Sequence, residues 1–142
     1  MTSASPRVSC SWVGVGFTME LRDGVPMKFM LLIGGSHAAW NLITPEAWAA
    51  SETAHGAIIA ELKTSGEFIE CDELTVSDEG ARVVRRTDHS VVSTPGPLAD
   101  NGNFVSGYYL VSCRDIERAE EIAARLHESR FAPIEVRRVG PQ

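Results

Sequence analysis

Two stretches of this chain carry their apolar residues on one helical face only, which limits what each can pack against. Over 44–65 the stripe is Trp48, Ser51, His55, Ile58 or Ile59, and Leu62, spaced by threes and fours. Over 115–126 it is Ile116, Ala119, Ile122 or Ala123, and Leu126. The ends are marked as well. Thr44-Pro45-Glu46 supplies an N-cap threonine, a first-turn proline and an acid at the positive end of the dipole, and Gly66 stands where a helix stops. Asp115 caps the second stretch. A helix with a single stripe covers one surface, so both helices belong on the same layer.

The rest of the chain supplies that layer. Lys28 to Ile33 is a continuous apolar run, the mark of a central strand, and Gly34-Gly35-Ser36 is expected to end it. Glu67 to Val76 reads as an acid-rich strand. Ala81–Arg86 and Ser90–Thr94 flank Thr87-Asp88-His89 as a hairpin, and Pro95-Gly96-Pro97 reads as a rigid loop. Val105–Cys113 and Ala132–Val139 complete the strands. The order β-α-β, hairpin, β-α-β is a ferredoxin-like α+β arrangement, with two helices on one face of an antiparallel sheet. Nothing in residues 27–142 is left to cover the other face, so a homodimer packed sheet to sheet is expected.

Residues 1–26 lack a helical period and are expected to be an N-terminal extension, with an added strand or hairpin as the alternative; the domain proper is 27–142. At 142 residues there is room for one domain of ordinary size. A net charge of −6 argues against non-specific nucleic-acid binding, which needs a basic face. The longest apolar run is too short to span a membrane. Only Arg7 precedes the faintly signal-like 8–17, and no clean cleavage pattern follows, so export is not expected. Three cysteines without C-x-x-C spacing fit a reducing cytoplasm better than a disulfide framework.

His55 is the residue richest in chemistry. Its place on the stripe turns it toward the sheet, where two readings stand. One is a buried neutral imidazole with both nitrogens hydrogen-bonded. The other is a general acid or base in a cleft between helix and sheet, with a carboxylate such as Asp72 fixing its tautomer. Six acids and no base lie between Glu67 and Glu79, which as a solvated edge discourages strand-to-strand pairing. His37, His89 and His127 show no ligand spacing, so neither a metal nor another cofactor is expected. Trp40, Trp48, Tyr108 and Tyr109 are core or interface aromatics from which a pocket wall can be drawn. No G-x-S-x-G elbow occurs, and the Gly34-Gly35-Ser36-His37 turn lacks a phosphate-loop lysine.

Four segments in order, Met27–Ile33, the helix bearing Ala54-His55, Thr94-Pro95-Gly96-Pro97-Leu98-Ala99-Asp100 and Gly107-Tyr108-Tyr109-Leu110, together resemble the YCII-related family in its DGPF-type branch. The resemblance covers 27–142. It implies a dimeric α+β barrel. It also implies either acid–base chemistry of lyase or dehydrohalogenase type, or a non-catalytic ligand-binding or regulatory module beside an extracytoplasmic-function sigma factor. The family histidine falls on His55, its strand acid on Asp72 and its loop acid on Asp100. The branch's aspartate and phenylalanine are replaced by Pro95 and Leu98. The expected site is thus His55 and Asp72 as the acid–base pair, with Trp40, Asp100 and Tyr108 about an unidentified small molecule.

Overall fold

The computed structural model describes residues 26–76, 80–98 and 102–140. Strand β1 (Met27–Ser36) leads into a one-turn helix α1 (His37–Trp40) and the long helix α2 (Pro45–Ser65). Then come β2 (Phe68–Glu73), the pair β3 (Arg82–Arg86) and β4 (Val91–Pro95), and β5 (Asn103–Cys113). Helix α3 (Ile116–Arg125), a 3-10 turn (His127–Arg130) and β6 (Ile134–Val139) close the chain. Residues 1–25 of the expected N-terminal extension lie outside the described residues, as does Asp100.

The caps read from the sequence are the ones that form. The Thr44 hydroxyl accepts from the Ala47 N–H at 3.1 Å, and Asp115 accepts from the Arg118 N–H at 2.9 Å. Gly66 takes φ of 82°, a left-handed stop that costs glycine nothing sterically.

β1, β2, β5 and β6 form one sheet in the order β2-β5-β1-β6, every neighbouring pair antiparallel, while β3 and β4 pair only with each other. The molecule is therefore α+β with an antiparallel sheet and is compatible with a ferredoxin-like fold. One face of the sheet carries Phe29, Leu31 and Ile33 from β1 and Tyr109, Val111 and Cys113 from β5. Ile58 and Leu62 of α2 and Ala119, Ile122 and Leu126 of the α3 region close over it, all nearly solvent-free. Both helices cover the same face, as their single stripes require. Arg118 ties α3 to the start of β2 with two bonds to the Glu67 carboxylate, at 2.9 and 2.8 Å, and Arg125 pairs with Glu61 of α2. The other face presents Met30 and Leu32 of β1 directly opposite Leu110 and Tyr108 of β5, with no helix on it among the described residues.

One expectation is corrected here. Gly34-Gly35-Ser36 continues β1 instead of ending it. The glycines are needed there because the sheet end is crowded: a Cβ on Gly34 would stand 2.7 Å from the Pro133 carbonyl oxygen, and one on Gly35 2.6 Å from Trp40 Nε1. The register slips where Ile33 faces Gly107 but Gly34 faces Val105, so that Ser106 is skipped in the pairing with β1. Such a bulge reverses the alternation of side chains beyond it. Phe104 is returned by it to the face that Tyr109 occupies.

Candidate functional site

His55 projects from the middle of α2 onto β5. Its Nε2 lies 2.8 Å from Glu128 Oε2, and its Nδ1 lies 2.5 Å from the Tyr109 hydroxyl, over which the imidazole stacks at 5.6 Å between ring centres. The Ser51 hydroxyl, one turn earlier on α2, donates to the same Glu128 oxygen at 3.4 Å. Cys71 of β2 lies directly across the ladder from Tyr109. Ser51, Glu128, His55 and Tyr109 thus form one polar chain running from helix to sheet.

The charges in this chain are ordered by its geometry. Burial alone would raise the Glu128 carboxyl, yet the hydrogen bond and charge of His55 outweigh it and hold the group below its ordinary value. A carboxylate only accepts, so Nε2 carries the proton and Nδ1 is left to accept from Tyr109 O–H. Burial is the main cause that pushes the Tyr109 phenol and the Cys71 thiol above their ordinary ranges, so neither is a ready nucleophile. Tyr109 is 2% exposed and the His55 side chain 23%. Both imidazole nitrogens are engaged, while Glu128 Oε1 is buried with no hydrogen-bond partner among the described residues.

Asp72 is not in it. Cys71 faces the core, so Asp72, its neighbour on a strand, faces away from His55, exposed and opposite Tyr108. Its Oδ1 accepts from the Glu73 N–H at 2.8 Å. The expected His55–Asp72 pair is corrected to His55–Glu128. Tyr108 is also on the outer face, where its hydroxyl donates to Glu70 at 2.5 Å, a bond that raises the phenol. Tyr109 was within reach of sequence reasoning, since it alternates with Val111 and Cys113. Glu128 was not: it follows the helical stripe in a 3-10 turn whose position no spacing reveals.

A cavity of about 260 Å³ opens at the other end of β5, lined by His37, Leu74, Thr75, Pro97, Phe104 and Val105 among others. His55 is not in its wall. Trp40 stands directly behind it, edge-on to Phe104 at 5.3 Å and to Trp48 of α2 at 4.8 Å, while His37 meets Phe104 edge-on at 4.9 Å. The Trp40 Nε1 is buried with no hydrogen-bond partner among the described residues. Trp40 therefore backs the cavity; Tyr108 is remote from it on the outer sheet face. Among the described residues no group of three or more His, Cys, Asp or Glu side chains is arranged to hold a metal, and no helix is long and apolar enough to cross a membrane.

Comparison with known proteins adds no relative: neither a family model nor a curated protein matches this sequence.

Proposed function

We propose that the chain is a YCII-like, small-molecule-binding module, working as a homodimer joined through the sheet face opposite α2 and α3. The observation that carries this reading is the separation of the two sites. His55 has both ring nitrogens occupied by Tyr109 and Glu128 and lines no cavity among the described residues, whereas the cavity at the other end of β5 is walled largely by aromatic and aliphatic groups with His37 as its imidazole. A space of about 260 Å³ suits a ligand smaller than drug-sized molecules, which fill roughly 300–1,000 Å³. A single-ring compound with one hydrogen-bonding group meets the wall on its own terms, stacking on Phe104 and bonding to His37 or Thr75.

The test is chemical-shift mapping with a panel of single-ring aromatic compounds. Binding should move the amide signals of His37, Leu74, Phe104 and Val105 and the Trp40 indole, and His55→Gln should leave it unchanged. Shifts centred on His55, Tyr109 and Glu128 would overturn the reading.

One observation favours acid–base chemistry as a second reading: Glu128 sets His55 as the Nε2–H tautomer and leaves Nδ1 as the basic nitrogen. On that reading a lyase- or dehydrohalogenase-type substrate displaces the Tyr109 hydroxyl, and Glu128, in place of Asp72, stabilises the imidazolium. Turnover abolished in both His55→Gln and Glu128→Gln, with folding retained, would select it.

A further inference from the structure

The β3–β4 hairpin is the part of the described molecule that the fold does not account for. It belongs to no larger sheet, and isolated two-stranded hairpins are marginal in water. Its turn is well made: the Thr87 N–H donates to the Ser90 carbonyl at 2.8 Å, and the Ser90 N–H to the Thr87 hydroxyl at 3.0 Å. Its base is pinned by the Gly96 N–H donating to the Ala81 carbonyl at 2.8 Å. Beyond that base both faces are open among the described residues, apart from a half-buried Val83. Val84, Val91 and Val92 are 63%, 66% and 48% exposed.

The pairing sorts these residues by face. Val84 opposes Ser93 and Arg86 opposes Val91, so one face carries Arg82, Val84, Arg86 and Val91 together. That is an apolar centre between two guanidinium groups. No carboxylate pairs with Arg82, Arg85 or Arg86 among the described residues. The chain as a whole is acidic, at −6, and this hairpin is an exposed basic feature of it, with three arginines against Asp88.

The complement stands on β2. Glu70, Asp72 and Glu73 are exposed, and none has a cationic partner among the described residues. β2 is also an edge strand. Glu70 and Asp72 face outward beside Tyr108, on the same sheet face as Met30, Leu32 and Leu110. An acidic margin therefore borders the apolar patch assigned above to self-association.

We infer that the hairpin is a clasp: its Arg82–Val84–Arg86 face docks on the acidic β2 margin, Glu70 and Asp72, of a second copy of this chain. The inference rests on the homodimer reading and specifies a second contact in it. Opposite charges set against each other give register and speed of association, and burial of Val84 and Val91 adds apolar area.

The experiment is sedimentation velocity over a concentration series with wild type, Arg82→Glu/Arg86→Glu, Glu70→Arg/Asp72→Arg and the fourfold swap. Each double variant should raise the dimer dissociation constant about tenfold, and the swap should bring it back toward wild type, because restored pairing is specific to contacting charges. Circular dichroism verifies the fold of each, and Arg82→Gln/Arg86→Gln serves if charge reversal unfolds the hairpin. A swap whose defects simply add, or a wild-type dimer unmoved by the arginine variants but lost in Leu32→Asp/Leu110→Asp, overturns the clasp and leaves the sheet-face dimer standing. A monomeric wild type overturns both.

Discussion

The two ends of β5 make a useful pair. At Tyr109 the strand meets His55 and Glu128 in a hydrogen-bonded, packed end, with one Glu128 oxygen left without a partner among the described residues. At Phe104 it meets rings and glycines, and the space stays open. Both side chains look to the same face, five residues apart, only because Ser106 is skipped in the ladder. The contrast teaches that titratable residues and an entrance need not coincide. A histidine next to a carboxylate is chemistry in reserve, and access is a separate property of the fold.

Removing the Tyr109 ring should break the closed end most severely. Tyr109→Ala leaves a cavity in the core and strands His55 Nδ1, and should cost about 3–5 kcal/mol in urea unfolding, as for other large aromatic deletions. Tyr109→Phe should cost about 1 kcal/mol, the net worth of its hydrogen bond. Near-equal losses would mean that the hydroxyl, not the packing, holds that end together.

The open end is sharpened by Gly35→Ala. The new methyl would stand 2.6 Å from Trp40 Nε1 and 2.8 Å from the Phe104 ring, so both rings must move. A cost of about 1–3 kcal/mol is expected, with a shifted tryptophan emission and weakened binding of single-ring compounds. The acid limb of stability that Glu128 sets should be unchanged if the two ends are independent.

The smallest effect is a pH dependence. Glu128 sits below its ordinary value of 4.5 in the fold, so it contributes stability that is fully present above that value and fades as pH falls through the folded pKa. Glu128→Gln should flatten the acid limb of the stability profile below about pH 4.5 and leave the neutral region nearly parallel to wild type. An acid limb identical to wild type would show that His55 does not hold this carboxylate.

Much of the fold was legible because the signals are local. Thr44, Gly66 and Asp115 terminate helices through atoms within three or four residues, and a single apolar stripe dictates one covered face. His55 was legible as an inward-facing imidazole for the same reason. Its partner was not. The alternation of β2 was enough to put Asp72 on the far side of the sheet once Cys71 was known to face inward, but which parity faces inward is decided by the partner strand.

What the sequence determined by itself, then, is the strands, the two longer helices with their caps and the face those helices bury, since hydrogen-bond closure and apolar periodicity act over a few residues. The tertiary structure alone decided that Glu128 meets His55 across 73 positions of chain, and that Phe104 rejoins the helix face through one unpaired residue. It also decided that the cavity opens away from the histidine. Such contacts depend on register and on how separate elements dock. A shift of one residue reverses a strand's faces, and no local pattern records it.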